Sequence, residues 1–205
     1  AQLVQINEFL HPGIQEIADI APAAIGRWLL GSALMRRLVE WMAGGGKIVA
    51  WDDKEQMRLG AVKEGIAPEP FEQWPWSAMS ALVLSPGIPF THPEPHAVVR
   101  RAGQAGVETI GDLELFGRAI RPLPGGEGRA PVIAVTGTNG KSTTSALIGH
   151  VLQACGFDAE IGGNIGKPAL DLAPPRSRTV YVLEVSSYQA DLAPGLVPDV
   201  AILTN

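Results

Sequence analysis

The sequence predicts an α/β fold with parallel sheets, and three observations favour this class. Short β-rich runs alternate with helical patterns from residue 47 onward, which is typical of βαβ units. The alternation starts again at residue 131, so the chain contains two such regions. Between them, residues 121–131 (RPLPGGEGRAP) are rich in proline and glycine, as linkers are. We therefore predict a Rossmann-like domain at 1–124 and a second parallel-sheet domain at 125–205.

In the first domain, strands and helices are predicted in alternation. The strands are KIVAWD, ALVLS and VETI, and the helices lie near 54–64, from Pro93 and from Asp112. Residues 1–46 are atypical, because Gly26 and Gly31 stand among helix formers whose apolar side chains have roughly helical spacing. This pattern predicts a helix, with residues 14–21 (IQEIADIA) as a weaker candidate for an edge strand.

In the second domain, the strand PVIAVTG precedes a helix predicted from Lys141 to Ala154. The loop IGGNIGKP, the strand TVYVLEVSS, a short helix near Tyr188–Leu192 and the strand DVAILTN follow. In open α/β sheets, ligands bind outside the carboxyl ends of the strands. We therefore expect the functional residues at these sheet edges.

Composition narrows the classes of partner. The net charge is −5 and 46% of the residues are hydrophobic, which is typical of globular proteins and gives no support for a nucleic-acid partner. The single cysteine, Cys155, cannot form an internal disulfide, and no secretory leader is recognisable, so we expect a cytoplasmic protein. The apolar segment Ile20–Met35 contains Arg27 and is shorter than the ~20 residues of a membrane span. We interpret it as a core helix, with membrane-surface contact as the alternative.

The stretch TGTNGKSTT, residues 136–144, has the features of a phosphate-binding loop. Gly137 and Gly140 let the backbone curl after a strand, and Lys141 begins a helix whose free N–H groups face the loop. Lysine would reach the terminal phosphates, and the hydroxyl of Ser142 would bind Mg²⁺. The loop is a compact variant, with Val135 where the longer pattern has glycine. It predicts a P-loop-type ATPase domain; a glycine-rich turn that contains lysine by coincidence is the alternative.

A second acidic element, Glu184, ends the apolar strand TVYVLEV. A carboxylate at the tip of a central strand can hold Mg²⁺ opposite Ser142, directly or through water. Capping of the next helix is the alternative. The guanine-reading pattern N-K-x-D does not occur in the sequence, which favours ATP over GTP. We therefore predict ATP and Mg²⁺ as ligands.

These motifs resemble those of the Mur ligase family. Three segments have that family's order and spacing: GTNGKST (137–143), GGNIGKPAL (162–170) and LEVSSYQ (183–189). Two more, LSPGIPFTHPEP (84–95) and GDLELF (111–116), resemble the branch that joins D-glutamate to UDP-N-acetylmuramoyl-L-alanine. The resemblance covers about residues 47–205.

The resemblance implies an ATP-dependent amide ligase of peptidoglycan precursor synthesis. ATP would phosphorylate the carboxylate of UDP-N-acetylmuramoyl-L-alanine, and the amine of D-glutamate would attack the acyl phosphate. Because two anions meet in the first step, catalysis would depend on charge cancellation and positioning, with Lys141 and Glu184 as catalytic residues. The metal ligands would be Ser142 and Glu184. The nucleotide would contact Gly137, Thr138, Asn139, Gly140, Lys141, Ser142 and Thr143.

The same resemblance assigns the substrate-binding residues. Asn164, Ser186 and Gln189 would line the cleft for the muramoyl substrate. Ser85, Pro86 and Gly87 would form the turn that meets the UDP phosphates. Asp52 and Asp53 would accept the uracil N–H, whereas capping of the following helix is their alternative role.

Other conspicuous side chains have structural interpretations. We interpret His92 and His96 as surface or capping groups rather than metal ligands, and Trp74 and Trp76 as packing aromatics. Arg100 and Arg101 are interpreted as a solvated helix face.

Two departures from the family are visible in the sequence. Residues 1–46 contain no G-x-G-x-S/T-G turn for the UDP diphosphate. The sequence stops at AILTN, before the family's histidine-containing segment, modified lysine and third domain. We therefore expect an incomplete ATPase domain and weak or absent ligase activity from this polypeptide alone. A generic P-loop kinase or ATPase, and a non-catalytic module that binds nucleotide or UDP-sugar, remain open; the oligomeric state is not predicted.

Overall fold

The computed structural model describes residues 23–25, 48–63, 65, 67–85, 87–120 and 129–205. The chain divides into two compact units between Asp112 and Leu113. Among these described residues, each unit has a four-stranded sheet whose strand pairs are parallel. The predicted α/β class with parallel sheets is therefore confirmed.

Unit 1 has the strand order β2-β1-β3-β4. Its strands are β1 (Ala23–Ile25), β2 (Ile48–Ala50), β3 (Ala81–Val83) and β4 (Glu108–Ile110). The helices in its described residues are α1 (Glu55–Lys63) and α2 (Ala97–Ala105), with 3-10 turns at Phe71–Gln73 and Trp76–Ala78. The first strand lies inside the sheet and later strands lie on both sides of it, as in doubly wound folds.

Strand β1 corrects the prediction for the N-terminal region. A core helix over Ile20–Met35 is wrong at Ala23–Ile25, because this segment pairs with both β2 and β3. The strand lies inside the sheet, with β2 on one side and β3 on the other. Pairing with these two strands overrides the local helical pattern of the sequence. The predicted helix around Gly26 and Gly31, and the candidate strand at 14–21, lie outside the described residues.

Helix α2 begins later than predicted, at Ala97 instead of Pro93. The reason is His96, whose Nδ1 accepts the N–H of Val98 at 3.2 Å and caps the helix. The interpretation of His96 as a capping group is confirmed, and His92 is exposed. Arg100 and Arg101 are exposed on this helix, as expected.

Trp74 and Trp76 of unit 1 are packing residues. Trp74 and Trp76 are 4% and 5% exposed, and their ring centroids lie 5.4 Å apart. Their indole N–H groups donate to the carbonyls of Glu69 and Phe71, both at 2.8 Å. The indoles therefore have both apolar surroundings and hydrogen-bond partners, as buried tryptophans require.

Unit 2 has the strand order β6-β7-β5-β8. Its strands are β5 (Val132–Gly137), β6 (Asp158–Gly163), β7 (Thr179–Glu184) and β8 (Val200–Thr204). The helices are α3 (Asp112–Ala119), which enters the unit at Leu113, α4 (Lys141–Ala154) and α5 (Ser187–Asp191), with a 3-10 turn at Ala169–Asp171. Strand β6 corrects the prediction of a loop that starts at Ile161, because the strand pairs with β7 along its length.

Helix α3 packs on unit 2, whereas the predicted boundary after residue 124 places it in the first domain. The ring of Phe116 packs edge-on against Tyr181 of β7, with centroids 5.0 Å apart. Glu114 is 2% exposed, and one of its carboxylate oxygens accepts the N–H of Gly195 at 2.7 Å. Aromatic packing and a buried charge-assisted hydrogen bond thus hold α3 against the sheet of unit 2.

Strand β7 forms the centre of the second sheet. All its residues are buried, as its apolar sequence predicts for a central strand. In the part of the chain that the structure describes, no helix is long and apolar enough to cross a membrane.

Candidate functional site

The strand order of unit 2 brings two predicted motifs together. β5 and β7 are neighbours although β6 lies between them in the sequence, and Val135 aligns with Glu184. The strands are parallel, so the loops after β5 and β7 leave the same edge of the sheet side by side. This change of direction in the strand order is the place where open α/β sheets bind ligands.

The loop after β5 has the backbone of a phosphate cradle. Strand β5 ends at Gly137, as the predicted strand PVIAVTG does. Gly137 and Gly140 both have positive φ, +128° and +80°, which glycine adopts without strain. Gly140 is the N-cap of α4, so the first N–H groups of that helix face the loop. The predicted helix Lys141–Ala154 is confirmed.

Lys141 folds back over this loop. Its Nζ donates to the carbonyl oxygens of Gly137 at 2.8 Å and of Thr138 at 3.2 Å. Thr138, Asn139 and Thr143 are exposed around it. A phosphate group is a stronger acceptor for an ammonium than a neutral carbonyl is, so it would displace these contacts.

Glu184 is the centre of a polar cluster, which we call the Glu184 cluster. The residue is 3% exposed at the end of β7. Its Oε2 accepts from the hydroxyl of Ser142 at 2.7 Å, and its Oε1 accepts from Nδ2 of Asn164 at 3.3 Å. Three motifs that are separate in the sequence therefore meet at one carboxylate.

Backbone contacts fix Asn164 beside Glu184. The N–H of Asn164 donates to the carbonyl of Glu184 at 2.8 Å, and Gly163 aligns with Glu184 in the sheet. A Cβ at Gly163 would lie 2.3 Å from that carbonyl oxygen, and φ is +114° there. Only glycine fits such a close approach, which explains the glycines before Asn164.

The charge of the Glu184 cluster favours a cation. The two donors that contact this buried carboxylate among the described residues, a hydroxyl and an amide, are both neutral. Neutral donors compensate a buried charge only in part. Within the described residues, no group of three or more His, Cys, Asp and Glu side chains forms a metal-binding cluster. The arrangement therefore fits Mg²⁺, which commonly binds one or two protein oxygens together with phosphate oxygens and water.

Ser186 and Gln189 form a capping box at the start of α5. The Oγ of Ser186 accepts the N–H of Gln189 at 3.3 Å, and Oε1 of Gln189 accepts the N–H of Ser186 at 3.2 Å. Capping of α5 by Glu184 is therefore wrong, because Ser186 does it. Contact of Ser186 and Gln189 with a substrate stays a prediction.

In unit 1, the predicted acidic pair follows β2 at the carboxyl edge. Asp52 is 1% exposed, and its Oδ1 accepts the N–H of Lys54 at 2.8 Å, directly before α1. Asp53 is exposed, and its Oδ2 lies 3.6 Å from Nε2 of His96. Asp52 therefore has the local contact expected of a capping residue, whereas Asp53 presents a carboxylate to solvent.

The predicted UDP-phosphate turn follows β3 in the same unit. Ser85 is 7% exposed, and Gly87 is exposed with φ +91°. Pro86 lies outside the described residues. Ser85 and Asp52 are not on neighbouring strands, because β1 lies between β2 and β3.

The end of β8 contributes contacts that no local motif signals. The hydroxyl of Thr204 donates to the carbonyl of Thr136 at 3.0 Å, and the N–H of Asn139 donates to the carbonyl of Asn205. These contacts depend on the pairing of β8 with β5, so only the strand order reveals them.

Known proteins share these elements. Residues 135–205, from β5 through β8, match the family description Mur ligase middle domain. The chain is 45% identical over 192 residues to a UDP-N-acetylmuramoylalanine--D-glutamate ligase of Caulobacter vibrioides, covering 94% of this chain and 40% of that protein. Residues 135–205 thus match the Mur ligase middle domain, and most of the chain is similar to part of these ligases. The matched segment contains the loop after β5 and the Glu184 cluster.

A second ligase and one solved structure are also similar to this chain. A ligase of the same name from Rhizobium johnstonii is 46% identical over 192 residues, again 94% of this chain and 40% of the relative. The chain thus spans 40% of the length of these relatives. The crystal structure of UDP-N-acetylmuramate-alanine ligase MurC from Thermotoga maritima aligns with 18% identity and a TM-score of 0.42, over 91% of this chain and 41% of that one.

Proposed function

We propose that this chain is the nucleotide- and metal-binding part of an ATP-dependent amide ligase that joins D-glutamate to UDP-N-acetylmuramoyl-L-alanine. The single observation that carries the proposal is the Glu184 cluster beside a phosphate loop. The names of the relatives support the reaction and its place in peptidoglycan precursor synthesis.

The reaction begins with the meeting of two anions. The alanyl carboxylate attacks the γ-phosphorus of ATP, and ADP leaves. The amine of D-glutamate then attacks the acyl carbon, phosphate leaves, and the nitrogen gives up a proton. The positive end of α4 and the ammonium of Lys141 would offset the phosphate charge.

The residues of the site have distinct roles in this proposal. Lys141 exchanges the carbonyls of Gly137 and Thr138 for phosphate oxygens, and the remaining loop residues bind the phosphates through backbone N–H groups. Mg²⁺, held by Glu184 and Ser142, would supply further positive charge at the phosphates. Asn164 contacts the muramoyl substrate while its amide holds Glu184 in place.

We assign the UDP-sugar to the carboxyl edge of unit 1, with Ser85–Gly87 at the phosphates. Of the acidic pair, Asp53 is the better acceptor for the uracil N–H, because it is exposed and Asp52 is buried with a local partner. Ser186 and Gln189 complete the muramoyl cleft by resemblance to the family.

The test is a set of calorimetric titrations of the 205-residue chain with Mg·ATP, with ATP in EDTA and with UDP-N-acetylmuramoyl-L-alanine. Lys141→Ala should weaken Mg·ATP binding by at least about tenfold, since a charge-assisted contact is lost. Glu184→Gln should abolish the increase in ATP affinity that Mg²⁺ provides and leave the affinity for metal-free ATP unchanged. The UDP-sugar affinity should not change in either variant.

The matched control is Lys167→Ala, which removes an exposed lysine from the loop after β6. It should bind Mg·ATP as the unchanged chain does. Mg·ATP binding without UDP-sugar binding would favour a generic P-loop ATPase. Failure to bind Mg·ATP, or equal binding by Lys141→Ala, would contradict the proposal.

A further inference from the structure

Thr204 lies at the end of β8, where the strand reaches the phosphate loop. Thr204 aligns with Gly137 in the β5–β8 pairing, and its hydroxyl donates to the carbonyl of Thr136. We infer that Thr204 is a positioning residue, which holds the start of the phosphate loop in the arrangement that binds the nucleotide. This inference rests on the proposed function of the loop.

The contact between β8 and the loop is unusually close. A Cβ at Gly137 would lie 2.1 Å from the carbonyl oxygen of Thr204 and 2.5 Å from its hydroxyl oxygen. The two strands approach this closely only because residue 137 has no side chain. Thr204 therefore limits how far the backbone of Gly137 can move toward β8.

The hydroxyl of Thr204 has a role that the sheet itself does not perform. Backbone pairing joins β5 to β8 from Ile133 to Gly137, whatever the side chain at residue 204. The carbonyl of Thr136 receives an additional, side-chain hydrogen bond at the point where the strand gives way to the loop. A substitution of the hydroxyl thus tests the loop without removing the strand.

The carbonyls of the next two residues, Gly137 and Thr138, accept hydrogen bonds from Lys141. The ammonium contacts the oxygens of Gly137 and Thr138, and these contacts end when the lysine turns to a phosphate. The hydrogen bond from Thr204 to Thr136 does not involve Lys141 and persists. Thr204 therefore holds the start of the loop while Lys141 moves from these carbonyls to the phosphate. A loop that is already held loses less conformational entropy when the nucleotide binds.

The test compares Thr204→Val, which keeps the branched shape but removes the hydroxyl, with Thr204→Ser, which retains it. In the full 205-residue chain, Thr204→Val should weaken Mg·ATP binding by about three- to tenfold, the range expected for one hydrogen bond. Thr204→Ser should stay within about twofold. Hydrogen exchange should show faster exchange of the loop amides at 137–140 in the valine variant alone.

Thr179→Val is the matched control for a loss of stability. Its hydroxyl accepts the N–H of Arg176 at 2.9 Å at the opposite edge of the sheet, and the residue is 4% exposed. This variant should lower the unfolding temperature without changing Mg·ATP affinity. An equal loss of affinity in Thr179→Val would show that Thr204 acts only through general stability.

The outcomes separate this inference from the proposed function. If the unchanged chain binds Mg·ATP and Thr204→Val binds equally well, the positioning role is wrong and the nucleotide site stands. If the unchanged chain does not bind Mg·ATP, the proposed function fails, and hydrogen exchange alone decides whether Thr204 fixes the loop. Equal exchange in the valine and serine variants would overturn that role.

Discussion

The carboxyl edges of the two sheets differ in how their predicted residues are connected. In unit 2, Ser142 and Asn164 both donate to Glu184, so side-chain contacts connect the start of α4 and the loop after β6 to the end of β7. In unit 1, the carboxylate of Asp52 accepts a hydrogen bond from its own segment, at Lys54. The edge of unit 2 is therefore connected across strands. At the edge of unit 1, Asp52 has a contact within its own segment, and Oδ2 of Asp53 lies 3.6 Å from Nε2 of His96.

Strand order explains this difference. Glu184 of β7 aligns with Val135 of β5 on one side and with Gly163 of β6 on the other. Neighbouring strands lie only ~4.8 Å apart. In unit 1, β1 separates the acidic pair after β2 from Ser85 after β3, a distance of about 10 Å between strands. Contacts between the segments of a site therefore depend on which strands are neighbours, and three groups of substitutions test the comparison of the two units.

The largest effect is expected from Gly137→Ala in unit 2. The added Cβ would lie 2.1 Å from the carbonyl of Thr204, at φ +128°, so the chain must move or strain. We expect a loss of about 2–4 kcal/mol in the free energy of unfolding, together with loss of Mg·ATP binding. Urea denaturation and calorimetry measure the two quantities.

Gly140→Ala is the control for this change. It also has positive φ, but a Cβ there would meet nothing within 4 Å. The expected cost is about 1–2 kcal/mol, from the backbone conformation alone. Equal costs for both variants would mean that the contact with β8 does not constrain the loop.

A smaller effect is expected in unit 1, where Asp52→Ala and Asp53→Ala should separate capping from ligand binding. Asp52→Ala removes a buried cap and should cost about 1–2 kcal/mol of unfolding free energy. Asp53→Ala, at an exposed position, should change it by less than about 0.5 kcal/mol. Urea denaturation provides the comparison.

The UDP-sugar titration completes this experiment. Asp53→Ala should weaken binding of UDP-N-acetylmuramoyl-L-alanine several-fold if its carboxylate accepts the uracil N–H. Asp52→Asn, which retains an acceptor for Lys54, should bind as the unchanged chain does. The reverse pattern would assign the ligand contact to Asp52 and contradict the division of roles.

The smallest effect is expected at the opposite edge of the second sheet, at Asp199. Its Oδ2 accepts from the N–H of Val132 and from Arg129, both at 2.7 Å. Burial raises the pKa of Asp199, but these two donors outweigh it and hold that pKa below its ordinary value. Because this ion pair is about half exposed, Asp199→Asn should cost less than about 1 kcal/mol at neutral pH.

The sign of the pH dependence follows from the lowered pKa. The contribution of Asp199 is complete above the ordinary aspartate pKa of about 3.9 and is lost as pH falls through the lower pKa of the folded state. Urea denaturation at several acidic pH values should therefore show the difference between Asp199→Asn and the unchanged chain shrinking. A stability difference that increases as the pH falls would contradict this prediction. Mg·ATP affinity should be unchanged, since Asp199 is remote from the loop edge.

Patterns of adjacent residues predicted much of unit 2. Alternating strands and helices gave its element order, and GTNGKST placed the start of α4 at Lys141 correctly. The same kind of reasoning misplaced the start of α2, because capping by His96 outweighs the helix signal at Pro93. It also missed β6, because the glycines at the end of this strand are typical of a loop and only their pairing with β7 identifies them as part of a strand.

The sequence by itself determined the α/β class, and it predicted the phosphate-binding chemistry of Gly137, Gly140 and Lys141 with Glu184 as the acidic partner. These features are local, since each depends on residue types within a few positions. Only the tertiary structure decided that β1 lies inside its sheet, that α3 packs on unit 2, and that Thr204 reaches Thr136. Such contacts arise from pairing between strands distant in the chain, and that pairing depends on packing energies that no single segment of sequence contains.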